Sequence, residues 1–325
     1  MIDDPVLFND WHPVAAVDQL AQQGVLSTRL LGEELVIWQS ETGIIHAWQD
    51  LCIHRGARLT GGKLIDGCLA CPYHGWRYDA RGRCVHIPAH PEQIPPAKAQ
   101  VRTFRATTRY GLVWVCLGEP AHAPPPFPEW DAGGYAVAVC GPYSHIRAHG
   151  PRLIENFLDA AHFPFVHEGV LGDPAQPAMG DYEARITPHG VESDPIAVYQ
   201  PNPYGDEAGQ VQYIYHAFRP LTAHFTKQSA GATNGLLLTI TPHDALDSTA
   251  WFVVATDTMD DNAELKRVYA PRITAIFEED RAVVEGQRPE LLPLDLQAEL
   301  HLRSDRVAIA YRTWLRQLGL TFGTR

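Results

Sequence analysis

Cys52-Ile53-His54 and, sixteen residues on, Cys71-Pro72-Tyr73-His74 bring two thiols and two imidazoles to a pair of loop tips. That donor set suits a [2Fe–2S] cluster in which two His replace two Cys on one iron. The short spacing within each pair lets a single loop reach both irons. A second set lies further along, where Asn156, Asp159 and His162 fall three apart and His167 follows. On an ideal helix, residues three apart share a stripe, whereas His162 and His167 would stand about 140° apart and could not face one ion. Pro164 disfavours helix at Phe163, so it bends the chain and can swing His167 back toward His162. Two imidazoles and a carboxylate on one face of Fe(II) leave positions open for O₂ and a substrate.

Two other chemistries fit the first set less well. Cys68 and Cys71 form a CxxC that, with His54 and His74, could hold zinc, or they could act as a thiol redox pair. Zinc leaves Cys52 surplus, and the thiol pair leaves Cys52 and both His unused. In a strand running into the loop, the odd separation points the two thiols to opposite faces, so Cys68 reads as a small core residue.

The elements that must position these groups fall into two regions. Residues 1–120 read as an all-β module: Ser27–Leu31, Glu34–Trp38 and Ile44–Trp48 are short strands punctuated by Gly32 and Gly43, and 101–105 and 112–117 close it. Gly118 to Pro128 is dense in proline and cannot supply ladder bonds, so it reads as the linker. Residues 121–325 follow as the second domain. The segments 137–148, 182–186, 210–216, 236–240 and 250–256 have strand character, as in the alternation of Val211, Tyr213 and Tyr215. From Asn262 the pattern is helical, and Val307, Tyr311, Leu315 and Leu318 mark a final amphipathic helix.

A chain of 325 residues can bury two cores. Its net charge of −12 argues against nucleic acid as a partner. The charge is uneven: residues 1–120 hold 11 Lys+Arg against 12 Asp+Glu, and residues 121–325 hold 15 against 26. Around the first metal set the sign reverses, with Arg55, Arg58, Lys63, Arg77, Arg81 and Arg83 against Asp66 and Asp79. Such a collar could steer an acidic electron donor. No apolar run approaches membrane-spanning length, and Met1-Ile2-Asp3-Asp4 lacks signal-peptide character. The remaining Cys68, Cys84, Cys116 and Cys140 show no disulfide spacing, so a cytoplasmic protein with reduced thiols is expected.

Over essentially its whole length the chain resembles the α subunits of Rieske non-haem iron oxygenases. The resemblance rests on Cys52-Ile53-His54-Arg55-Gly56, on Cys71-Pro72-Tyr73-His74-Gly75-Trp76, and on the Asn-x2-Asp-x2-His-x4-His pattern of Asn156, Asp159, His162 and His167. One departure is Gly150-Pro151-Arg152, where the family often has an aromatic and a Lys. The resemblance implies an α+β fold, with a Rieske domain followed by an antiparallel sheet flanked by helices in a helix-grip arrangement. It implies a [2Fe–2S] cluster on Cys52, His54, Cys71 and His74, and a mononuclear Fe(II) on His162 and His167. The third iron ligand it implies is Asp280, in Phe277-Glu278-Glu279-Asp280 with Glu285 beyond; Asp295 is the runner-up, and Glu278 or Glu279 reads as a solvated helix face. Asp159 would accept the Nδ1–H of His162 and, by resemblance, bridge to the His74 of a neighbouring chain in a head-to-tail homotrimer.

O₂ would be the co-substrate. No G-x-G-x-x-G follows a strand, so electrons from NAD(P)H must come through a separate reductase or ferredoxin. The compact length is similar to the demethylase and monooxygenase branch. The expectation is therefore loss of a methyl group from a small aromatic or heterocyclic compound, with arene cis-dihydroxylation as the alternative reaction. An electron carrier with an inert second domain is the alternative of another class. Candidate pocket walls are Phe218, Phe225 and Trp251.

Overall fold

The computed structural model describes residues 4–202, 208–229 and 231–325. The chain is α+β and divides into two compact units, one of residues 8–124 and one joining Asp4–Leu7 to residues 125–325.

In the first unit, an antiparallel six-stranded sheet runs in the order His12–Ala16, Leu112–Cys116, Thr103–Arg109, Ile45–Gln49, Glu33–Gln39, Val25–Leu30. Leu35 to Trp38 is an unbroken apolar run because every one of these side chains is buried. A smaller sheet pairs Lys63–Ile65, Cys68–Ala70, Arg77–Tyr78 and Cys84–His86 in that order. Trp38 and Trp48 meet edge to face at 5.0 Å in a core that continues through Leu69, Tyr78 and Val101 to Cys52 and Cys71. Cys68, expected in the core, is only half-buried at the start of its strand, and the thiol that joins Cys52 and Cys71 in this core is Cys84.

The second unit is built on an antiparallel sheet ordered Ala136–Ile146, Ser248–Thr256, Ala232–Pro242, Thr222–Ser229, Gly209–Arg219, Gly190–Ser193, Ala184–Thr187, with Ile196–Gln200 also paired to Gly209–Arg219. The strands Gly190–Ser193, Ile196–Gln200 and Thr222–Ser229 were not expected from the sequence. The register aligns Tyr213, Lys227, Asn234 and Thr256 in one cross-strand row, and Tyr215, Phe225, Leu236 and Val254 in another on the same face. On the opposite face, buried Glu129 of the helix Pro128–Ala132 accepts from His224 Nε2 at 2.8 Å and from Thr226 Oγ1 at 2.6 Å.

The long helix Asn262–Val284 begins at Asp261, whose carboxylate accepts the N–H groups of Ala263 and Glu264. It buries Leu265, Ile273 and Phe277, and Phe277 meets Tyr143 and Phe252 of the sheet at ring distances of 4.9 and 5.5 Å. The final helix, Arg306–Leu318, is tied in by the Tyr311 hydroxyl, which donates to the Pro220 carbonyl at 2.6 Å. Near the N-terminus, buried Asp4 accepts from the Val6 and Leu7 N–H groups through one oxygen. Its other oxygen accepts from the Thr321 and Phe322 N–H groups and the Thr321 hydroxyl. Among the described residues no helix is long and apolar enough to cross a membrane.

Candidate active site

The two Cys-His loops are built on one backbone plan. In the first, the Gly56 N–H donates to Cys52 O at 2.9 Å and the Cys52 N–H to Ala57 O at 2.8 Å. In the second, the Gly75 N–H donates to Cys71 O at 3.0 Å and the Cys71 N–H to Trp76 O at 2.8 Å. Each turn needs a left-handed residue at its fifth position, and both Gly56 and Gly75 sit at φ +70. The loops therefore present matching tips. His54 and His74 stand 4.6 Å apart, and His54 lies flat on Trp76 at 4.3 Å. Cys52 and Cys71 are buried beneath them. The Nδ1 of His54 is buried without a hydrogen-bond partner among the described residues. A buried imidazole nitrogen left open beside two buried sulfurs is what a cluster would complete. The Tyr78 hydroxyl lies 3.1 Å from Cys52 Sγ. Burial holds the phenol protonated, so it is the donor when the sulfur is a thiolate.

The second set converges more tightly. The helix Gly150–Phe157 ends before Asp159, whose Oδ1 accepts the Ala161 N–H at 2.7 Å and so turns the chain. A short helix, Phe163–Val166, restarts with Pro164 in its first turn, where a missing N–H costs nothing. The expected single stripe of Asn156, Asp159 and His162 on one continuous helix is thus corrected: the break precedes the proline, and Asp159 makes it. The outcome still brings His162 and His167 together. Their Nε2 atoms are 3.2 Å apart, and Asp280 Oδ1 lies 3.3 Å from the first and 3.1 Å from the second. Neighbouring donors around an ion bound at about 2.1 Å are about 3.0–3.4 Å apart in octahedral or tetrahedral geometry, so the three atoms have the spacing of metal ligands.

Each imidazole is held from behind. His162 Nδ1 lies 3.3 Å from Asp159 Oδ2, and His167 Nδ1 lies 2.7 Å from Glu279 Oε2. Donating Nδ1–H to a carboxylate leaves each Nε2 turned to the common point. Asn156 Nδ2 donates to Asp280 Oδ1 at 3.3 Å. Burial disfavours charge on His162, yet Asp159 and Asp280 together outweigh it and raise its pKa to about 9. Asp280 is likewise held below the usual carboxylate range, because bonds from His162 and His167 prevail over its burial. Glu278 or Glu279 was expected to lie on a solvated helix face. Both are exposed, but Glu278 pairs with Arg281 at 3.4 Å whereas Glu279 reaches His167. Asp295 is exposed and spends Oδ1 on the Gln297 N–H.

His162, His167 and Asp280 lie on the wall of an apolar cavity of about 950 Å³ counted out to its mouth. Phe157, Phe225, Leu236, Phe252 and Phe277 make up much of its lining, and Phe157 stacks on Phe225 at 5.2 Å. Of the three wall residues expected, only Phe225 lines it. Trp251 is on the far face of its strand with Nε1 donating to Thr241 Oγ1, and Phe218 stacks on His216 and His224. Strand parity decides this, since the cavity side of that strand carries Phe252 and Val254.

Residues 10–105 match the Rieske [2Fe-2S] domain, and residues 146–321 match the vanillate O-demethylase oxygenase C-terminal domain. The chain belongs to the Rieske non-haem iron oxygenases. Among proteins similar to this oxygenase, methylxanthine N1-demethylase NdmA of Pseudomonas putida is 31% identical, over 95% of this chain and 88% of its own. Methylxanthine N3-demethylase NdmB of the same organism is 27% identical, over 98% and 91%. The solved structure of Pseudomonas putida CBB5 NdmA with caffeine superposes on this oxygenase with a TM-score of 0.80 at 29% identity, covering 96% of this chain and 90% of that one.

Proposed function

We propose that this oxygenase removes an N- or O-methyl group from a small aromatic or heterocyclic compound. The observation that carries the reading is the triangle of His162 Nε2, His167 Nε2 and Asp280 Oδ1 on the wall of an apolar cavity. That the relatives are demethylases by name supports it. Cys52, His54, Cys71 and His74 would hold the [2Fe–2S] cluster, and His162, His167 and Asp280 an Fe(II). When bound, the cluster carries single electrons and the Fe(II) activates O₂.

The protein's own share is positional. Asp159 and Glu279 keep Nδ1 of each His protonated and Nε2 aimed inward, and Asn156 steadies Asp280. The aromatic walls hold a flat substrate against the triad and exclude water, which keeps its methyl carbon within reach. No G-x-G-x-x-G follows a strand of this sequence, and a separate NAD(P)H-dependent reductase or ferredoxin supplies the electrons. The protein works in the cytoplasm as a homotrimer, with Asp159 facing the His74 of a neighbouring subunit. Half-exposed Asp159 keeps an accessible carboxylate edge beside His162, which suits that role.

The test is turnover with a surrogate reductase on methoxyarenes, N-methyl heterocycles and plain arenes. Formaldehyde in step with a demethylated product is the expected result. Diol formation from plain arenes without formaldehyde would replace demethylation by cis-dihydroxylation.

A further inference from the structure

Two cations line an otherwise apolar cavity. Residues 121–325 carry 15 Lys+Arg against 26 Asp+Glu. Along the cavity that balance reverses: outside the triad, the charged side chains among its described lining residues are Lys227 and Arg272. Lys227 is only 5% exposed, and Arg272 is half-buried. Burial, together with the nearby Arg272 guanidinium, pushes the Lys227 ammonium down to about 7.

Strand parity and helix rotation bring the two together. Lys227 follows Phe225 on the cavity face of its strand, where the alternation would otherwise place an apolar side chain. Its cross-strand partner Tyr213 stands 5.4 Å from Phe163, whose ring is 4.9 Å from that of His162. Arg272 precedes Asp280 by eight residues on the long helix, about 12 Å at the helical rise. Between them Ile273, Ile276 and Phe277 line the cavity. Tyr269, one turn before Arg272, accepts from Asn234 Nδ2 at 3.1 Å, which leaves the phenol's own hydrogen to give. A molecule that spans the cavity therefore meets the triad at one end, an apolar wall along its body and positive charge at the other end.

We infer that Lys227 and Arg272 form an anion subsite, which takes a carboxylate or sulfonate on the substrate at the end remote from the methyl group that is removed. Arg272 presents a planar fork that matches two anionic oxygens, and Lys227 adds a point charge. The bound anion offsets both the repulsion between the two cations and the cost of burying them. It also fixes the direction of the substrate, because the apolar wall between subsite and triad disfavours charge. The methyl group is left facing the triad. The inference rests on reading the cavity as the substrate pocket and narrows that substrate to an anionic arene or heterocycle.

The test compares 4-methoxybenzoate and 4-methoxybenzenesulfonate with 4-methoxybenzamide, a neutral analogue of nearly the same shape as the benzoate, and with caffeine as a neutral heterocycle. Dissociation constants are measured calorimetrically on the iron-loaded holoenzyme without reductant. At least one anion should bind at least about tenfold more tightly than the amide, in line with a hydrogen bond to a charged group. The tighter of the two anions identifies the group the subsite takes. Lys227→Met and Arg272→Gln should each cut that ratio severalfold by weakening the anion, with the cluster spectrum and iron content unchanged. Arg272→Gln, at a half-buried position, decides the matter if Lys227→Met does not fold. Equal binding of anions and amide, tightest binding of caffeine, or an anion preference that survives both substitutions, as direct ligation of the iron would give, would each overturn the inference. Formaldehyde is assayed alongside with a surrogate reductase. Demethylation without anion preference sinks this inference alone, and anion preference without demethylation of any probe sinks the demethylase reading alone.

Discussion

Glu279 offers the sharpest test of how the triad is held. Its Oε2 lies 2.7 Å from His167 Nδ1, shorter than the 3.3 Å from Asp159 to His162, yet its side chain is 47% exposed. The short distance argues for a strong bond, and the exposure argues that solvent screens its charge. Removing an outer carboxylate behind a ligating imidazole costs about 10–100-fold in metal affinity, and the exposed position points to the lower limit. Glu279→Ala should therefore weaken Fe(II) binding about tenfold, or about 1.4 kcal/mol. Glu279→Gln should lose much less, because its amide oxygen still accepts the Nδ1–H. Glu278→Ala, one residue away and paired with Arg281, should change nothing. The assay is anaerobic titration of the mononuclear site with Fe(II) after chelation, with the visible absorption of the cluster as internal reference. Wild-type affinity in Glu279→Ala would refute the claim that His167 depends on this carboxylate.

Three further outcomes are expected. Asp159→Asn keeps an acceptor for His162 Nδ1–H, so iron should largely remain while electron transfer from cluster to iron collapses; rapid mixing of the reduced, substrate-bound variant with O₂ should show slow cluster reoxidation, and a wild-type rate would exclude the bridging role. The reduced protein should give an electron paramagnetic resonance signal of a [2Fe–2S] centre with nitrogen coupling from His54 and His74; a colourless protein carrying zinc would contradict it. Asp4→Ala strips five hydrogen bonds from a buried carboxylate and should cost about 3–5 kcal/mol in urea unfolding of the second unit. The pKa of Asp4 is lowered in the folded state by the Leu7, Thr321 and Phe322 N–H groups against the opposing effect of burial. Its contribution is therefore present above the unfolded-state value of 3.8 and is lost as pH falls through the folded value, so the variant should flatten the acid limb of the stability curve.

The parts of the site that were legible in the sequence are those whose geometry is local. Cys52 with His54 and Cys71 with His74 sit in five-residue turns ending in glycine, where spacing nearly dictates direction. His162 and His167 flank a proline that any reading must accommodate. Asp280 lies more than a hundred residues away and was reached through the pattern Phe277-Glu278-Glu279-Asp280 rather than from spacing. The role of Glu279 was not legible, because neighbours on a helix point about 100° apart and only the helix's rotation against His167 brings this partly exposed carboxylate to Nδ1. Trp251 and Phe218 were misplaced for the analogous reason in strands, where a shift of one residue exchanges faces. The strand Thr222–Ser229 escaped notice because its alternation is short: Ala223 and Phe225 are followed on the same face by Lys227, and the other face carries the polar Thr222, His224 and Thr226. These side chains are accommodated by partners distant in sequence, among them Glu129 for His224 and Thr226.

The measurement closest to the central claim is the iron and acid-labile sulfide content of anaerobically purified protein, taken for the wild type and for His162→Ala. The wild type should hold one iron beyond the two of its cluster. His162→Ala should lose that one alone, with the cluster spectrum intact and formaldehyde formation abolished. A wild type that holds only the iron of its cluster, or a His162→Ala variant that keeps the extra iron and its turnover, would contradict the account.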